Sequence, residues 1–205
     1  MYRAITSCCS LDDGLAACLK LPPPATKAKD RKHQHQPDPS LPSAVDLCVE
    51  ILVKENRVPA VAGGSVSTRA AEASRALGFI CFSETGRDLA ITSNAVEALV
   101  AMLVRLRELS ENEMGDKSTP DSEERKRGLS QAKLSTVNAL SVITASDEAK
   151  LRYFPCEESV NIICYLITRT SESEQAVLIS TLKLISNVSV HPETRRALRE
   201  VSAQF

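Results

Sequence analysis

The sequence predicts an all-α fold, an α-solenoid in which similar helical units stack along one direction. Three observations carry that prediction. A thirteen-residue pattern is written three times: Arg75-Ala-Leu-Gly-Phe-Ile-Cys-Phe-Ser-Glu-Thr-Gly-Arg87, then Asn138-Ala-Leu-Ser-Val-Ile-Thr-Ala-Ser-Asp-Glu-Ala-Lys150, then, more loosely, Lys183-Leu-Ile-Ser-Asn-Val-Ser-Val-His-Pro-Glu-Thr-Arg195. The copies align in columns: Leu77, Leu140 and Ile185 hold one apolar position and Ile80, Ile143 and Val188 the next. Between them sits a small residue (Gly78, Ser141, Ser186), and a cation closes each copy at Arg87, Lys150 and Arg195. Each copy also occupies the same place in a repeated order of helices. Self-similarity of this kind is the mark of a repeat architecture, and it makes binding a better expectation than catalysis.

Taken in order, residues 1–21 read as a partial helical repeat, with Leu11 to Leu21 as one short helix. Residues 22–42 are a low-complexity linker of Pro22-Pro-Pro24, the Lys27 to Lys32 stretch, His33-Gln-His35 and further prolines, a composition that cannot bury enough apolar surface to fold. Residues 43–205 carry the repeats. Ala44 to Val53 is predicted as a long helix, and Arg57 to Val66, with Pro59 and Gly63-Gly64, as the loop after it. Ser67 to Phe82 places Ala70, Ala73, Leu77 and Ile80 at helical spacing, so one face is apolar. Gly86-Arg87 is expected to break it, Asp88 to Thr92 to form a brief helix, and Ser93-Asn94 to stop that, since Asn tolerates the left-handed conformation. Ala95 to Leu109 follows, with Val96, Leu99, Val100, Leu103 and Leu106 on one side.

The second unit repeats the order as Gln131 to Thr144, Glu148 to Phe154 and Glu158 to Arg169, with Pro155 as its stop. The third runs from Glu174 to Val190 and then Glu193 to Val201. Leu77 and Leu140 lie 63 positions apart, but Leu140 and Ile185 only 45. The difference is assigned to a polar insert at 110–128, rich in Glu, Asp, Ser, Lys and Arg, which reads as a solvated loop. After Phe205 the long helix of the third unit has no counterpart. The expectation is a fragment or short product, incomplete at the C-terminus, with Leu184, Val188 and Leu198 uncovered and open to self-association.

Composition narrows the function classes. Lys and Arg total 25 against 26 Asp and Glu, a net charge of −1, so no strong field recruits nucleic acid. Aromatic content is 3% with no Trp, which leaves little for base stacking. The seven cysteines form no CxxC pair and several fall on apolar helix faces. With no signal peptide and no membrane-length apolar run, a cytoplasmic location without membrane insertion is expected.

No cofactor or enzyme signature emerges. His33-Gln-His35 lacks the third and fourth ligands a closed metal site needs. Nucleophilic catalysis needs a base held beside the nucleophile, and two of the three His lie in the low-complexity tract. Cys8-Cys9 reads as packing rather than acylation. Asn187-Val-Ser189, a sequon in form, lies within a predicted helix, and Glu123-Glu-Arg-Lys-Arg127 is a mixed-sign solvated run.

The strings Ala76-Leu-Gly-Phe-Ile80, Ala139-Leu-Ser-Val-Ile143 and Leu184-Ile-Ser-Asn-Val188 resemble the third helix of an armadillo repeat, which usually reads Ala-Leu-x-Asn-Ile. The resemblance covers residues 44–205 outside the inserts, and with 110–128 removed the spacings approach the expected period of about 40–47 residues. It implies a right-handed solenoid whose third helices line a concave groove. The groove positions carried over fall on Arg75 and Phe79, Asn138 and Val142, and Lys183 and Asn187; these are the candidate partner-binding residues. Only Asn187 keeps the Asn, and the Trp and Asn ladders of the peptide-reading armadillo proteins are missing. Within the family, Arg75-Ala-Leu-Gly-Phe-Ile-Cys followed by Gly86-Arg87, and Leu11-Asp-Asp-Gly-Leu-Ala-Ala-Cys-Leu, look most like the small-GTPase GDP-dissociation stimulators (SmgGDS). That implies a protein without an active site of its own, which binds small GTPases, often with prenylated polybasic tails, and promotes GDP release. The alternative expectation is a non-enzymatic scaffold or adaptor that docks a segment of another protein.

Overall fold

A computed structural model describes residues 42–60, 65–113, 120–153, 158–170 and 174–202, and these hold nine helices and no strand. The partial repeat at 1–21 and nearly all of the linker at 22–42 lie outside the described residues.

The first helix, α1, spans Ala44–Asn56. Ser43 caps it with a reciprocal box: the Asp46 amide donates to Ser43 Oγ at 3.1 Å and the Ser43 amide to Asp46 Oδ2 at 3.0 Å. The second, α2, spans Thr68–Ile80, and its cap Ser67 accepts from the Ala70 amide at 3.2 Å. Ser67 Oγ in turn donates to Glu55 Oε2 at 2.5 Å, and Arg105 Nη2 lies 3.5 Å from the same carboxylate, so the end of one helix fixes the start of the next.

The third, α3, spans Glu84–Thr92 and corrects the expected break: Gly86 and Arg87 lie inside it. The chain turns earlier, at Cys81 to Ser83, because Ser83 Oγ accepts the Gly86 amide at 3.0 Å and starts a new helix there. Asn94 follows with φ 59°, the left-handed stop expected at that position.

The fourth, α4, spans Ala95–Glu113, and the fifth, α5, Pro120–Ile143. The insert at 110–128 is therefore helical at 110–113 and from 120 onward, not a loop. Pro120 needs no partner for its missing N–H at the first helical position, and Asp121 and Glu123 complement the dipole of the first turn. Ser122 and Leu129 are buried, while Glu123, Glu124, Lys126 and Arg127 stay in water. The remaining helices are α6 (Asp147–Tyr153), α7 (Ser159–Arg169), α8 (Gln175–Val188) and α9 (Pro192–Ser202). Tyr153 and Ser159 tie α6 to α7 reciprocally: Tyr153 Oη donates to the Ser159 carbonyl at 3.0 Å, and Ser159 Oγ to that of Tyr153 at 2.6 Å.

Packing follows one rule through the chain. The helices α1, α4 and α7 pack side by side in order, and so do α2, α5 and α8. Each member of the first row also packs on its successor in the second: α1 on α2, α4 on α5, α7 on α8. The short helices α3, α6 and α9 pack back on α1, α4 and α7. Leu77, Leu140, Ile80, Ile143 and Val188 are fully buried and Ile185 partly so, as the column reading requires. The small column lets neighbours close in: a Cβ on Gly78 would lie 3.5 Å from Ala139 Cα.

The cations that close each copy prove to be largely structural. Arg87 Nη1 donates to the carbonyls of Cys81 and Phe82, both at 3.1 Å, and Arg195 Nη2 donates to that of Val190 at 3.3 Å, the position equivalent to Phe82. Both satisfy acceptors left free where a helix of the second row ends. The uncovered face expected of the third unit also needs correction. Leu184 and Val188 are fully buried and Leu198 is partly buried; the apolar side chains that α8 exposes are Ile179 (51%) and Leu182 (53%). Leu182 stands at the repeat position of Val137, which is fully buried on α5.

Candidate functional site

The row formed by α2, α5 and α8 presents a groove of about 440 Å³. Five of the six sequence-derived candidates line it: Arg75 and Phe79 from α2, Asn138 and Val142 from α5, and Lys183 from α8. They converge because the repeat holds one register on three adjacent helices. Arg75 is flanked by the buried Ser74 and Ala76, and Asn138 by the buried Val137 and Ala139.

Asn187 does not join them. Its Nδ2 donates to the Ser141 carbonyl at 2.7 Å, so the side chain bonds α8 to α5 and lies outside the groove lining. That carbonyl belongs to Ser141, a member of the small column.

Four further groups that the sequence reading passed over complete the lining: Gly78, Phe82, the pair Gln131 and Leu134, and the pair Ser135 and Ser141. Their signal was present in part, since Gln131, Leu134, Ser135, Asn138 and Val142 follow helical spacing on one face of α5. Phe82 shares that spacing with Arg75 and Phe79, although it lies just beyond the end of α2. It is 70% exposed and its ring centroid stands 6.2 Å from that of Phe79, the two planes tilted by 60°. That is a favourable edge-to-face geometry for an aromatic pair. Two large rings held in water at the mouth of a groove cost free energy unless something covers them, so they mark the place.

The groove is positive. Arg75 pairs with Glu72 at 2.9 Å along the same helix, with the arginine side chain 39% exposed. Lys183 is exposed and makes no ion pair or hydrogen bond among the described residues. No carboxylate belongs to the described lining.

A second cavity, of about 420 Å³, opens on the other row beside Asn56, Glu97, Glu108 and Glu158. Two of its carboxylates are already engaged, Glu97 with Arg152 at 3.8 Å and Glu158 with Arg107 at 3.4 Å. It is the lesser candidate on that ground.

Cys81, at the end of α2, is buried, and burial pushes its thiol up to about 12, against a smaller opposing pull from Arg87. A thiol held protonated in that way is a packing group rather than a nucleophile. No cluster of three or more metal-ligating side chains occurs among the described residues, and His33 and His35 lie outside them. No single described helix is long and apolar enough to cross a membrane.

Comparison with protein-family models, with curated proteins and with solved structures returned no match.

Proposed function

We propose that this chain is a protein-binding α-solenoid of the right-handed armadillo type, which grips a segment of a partner protein in the groove of α2, α5 and α8. The observation that carries the reading is the convergence of Arg75, Asn138 and Lys183, one register position on three stacked helices, around an exposed aromatic pair. The constant packing rule of the two rows supports the solenoid, since each unit then contacts only its neighbours. The role is binding without chemistry of its own: the groove offers cations, amides, hydroxyls and rings, and no acid–base pair.

A small GTPase is the partner class that the sequence resemblance puts first. The chain would promote GDP release by binding the nucleotide-free form more tightly than the nucleotide-bound forms, which is the thermodynamic requirement for any shift of that equilibrium. The scaffold reading rests on the groove's shape, which suits one segment of a partner whatever its nucleotide state. Self-association through the last unit would draw on Ile179 and Leu182 of α8, since Leu184 and Val188 are buried.

Release of labelled GDP from a panel of small GTPases, measured with and without the chain, separates the two readings. Accelerated release that Arg75→Ala and Lys183→Ala diminish is the result expected of a stimulator. Binding that ignores the nucleotide state makes the chain a scaffold. Failure of every GTPase to bind removes the GTPase reading.

A further inference from the structure

Building on the groove reading above, we propose that the groove selects an extended segment in which two carboxylates flank a bulky apolar side chain. Arg75, Asn138 and Lys183 hold equivalent positions on α2, α5 and α8, so they form a row that crosses the helices instead of following one of them. Packed helices lie 8–10 Å apart axis to axis, which sets the two cations roughly 16–20 Å apart along that row. An extended chain rises about 3.3 Å per residue and covers the span in about five or six residues. A helix rising 1.5 Å per residue would need about eleven to thirteen, three full turns laid across the grain of the groove.

The chemistry between the cations fits the same geometry. Phe79, Phe82, Leu134 and Val142 supply an apolar seat for a side chain from the middle of the segment. An extended segment has unpaired backbone N–H and C=O groups, and the exposed amides of Gln131 and Asn138 can serve both kinds. At one end Lys183 has no partner among the described residues. At the other, Arg75 gives one nitrogen to Glu72 and keeps further N–H donors for an incoming carboxylate. A basic segment would meet Lys183 at one end and Arg75, whose charge Glu72 offsets only in part, at the other, with no carboxylate in the described lining. On a small GTPase the groove would therefore take an acidic, apolar stretch, and a polybasic tail would have to bind elsewhere.

The test is selection of a random twelve-residue peptide library, displayed on phage, against the full chain. The expected consensus has two Asp or Glu five or six positions apart around Phe, Leu, Ile or Met. A selected peptide should bind roughly tenfold more weakly to the Arg75→Ala/Lys183→Ala double variant, a change of about 1.4 kcal/mol, and the gap should narrow at high salt as the native chain's own affinity falls. Selection against Arg75→Glu/Lys183→Glu should return Lys- or Arg-flanked peptides instead. Phe82→Ala, at an exposed position, reports the groove without touching the charges, and circular dichroism verifies that each variant is folded. Neutral or basic peptides whose binding falls with Phe82→Ala overturn the acidic chemistry and leave the groove reading standing. Peptides indifferent to every groove substitution overturn both. No enrichment over background overturns the proposal, while the GDP-release assay still judges the groove reading.

Discussion

Gly86 concentrates the local constraint of the first unit in one residue. A Cβ there would stand 2.1 Å from the Ile80 carbonyl oxygen and 2.8 Å from Ser83 Oγ, so the turn between α2 and α3 closes only around a bare Cα. Gly86→Ala should destabilise the chain by about 1–3 kcal/mol, read as a lower urea midpoint with unchanged slope. An unchanged midpoint would mean that the turn can open at little cost. Cys81, one turn back, carries a pH signature. Its thiol ionises near 9.0 when exposed and near 12 in the folded chain, so the native state holds the proton longer. The stability this supplies is complete below pH 9 and is lost as pH rises through 12. The difference in melting temperature between the native chain and Cys81→Ala should narrow above pH 9, and a difference independent of pH would contradict the assignment. Asn94 was legible in the sequence because one residue type in one place decides its conformation. Gly86 was read there only as a break, since composition does not say which atoms a Cβ would meet.

The closing cations matter at the scale of the element. Arg87 donates to two carbonyls at the end of α2, and Arg195 to one at the end of α8. Arg87→Ala should cost about 1–2 kcal/mol, with Arg195→Ala costing less because it loses a single, longer bond. Equal costs would argue that the pattern is kept for another reason. Lys150 behaves differently: its Nζ pairs with Asp147 at 2.7 Å within α6, and this pairing holds the aspartate below the usual carboxylate range.

The helix α5 is where the sequence reading fell shortest. Residues 120–128 carry almost no apolar signal, so periodicity reported a loop. The helix forms there because Pro120 and the acidic first turn start it well and because Ser122 and Leu129 anchor it. Amides 124–130 should therefore show slowed hydrogen exchange, whereas exchange at the rate of an open chain would restore the loop.

At the scale of the whole molecule, the order of helices could be read from the columns of the repeat, because a column buried in one unit is buried in the next. The two-row packing emerged only in the structure. The groove candidates came from the armadillo resemblance, and Arg75, Phe79, Asn138, Val142 and Lys183 lie on one surface because the repeat keeps one register. Asn187 escaped because a side chain that bonds to a neighbouring helix looks, in sequence, like one that faces a partner. Phe82 escaped although it keeps helical spacing with Arg75 and Phe79, because an aromatic side chain at a helix end reads equally well as buried packing. The aromatic pair, and Arg75 and Lys183 beside it, are features of the assembled surface.

The measurement that tests this most directly is the affinity of the chain for a small GTPase that it binds, or for a selected peptide, with and without Arg75→Glu/Lys183→Glu. Both positions lie on the groove surface, so the double variant should stay folded and helical, with a melting temperature lowered only by the loss of the Arg75–Glu72 pair. The account predicts that it loses at least tenfold in affinity, about 1.4 kcal/mol, and that the loss shrinks as salt is raised. A folded double variant that binds as tightly as the native chain would place the binding surface elsewhere and contradict the account.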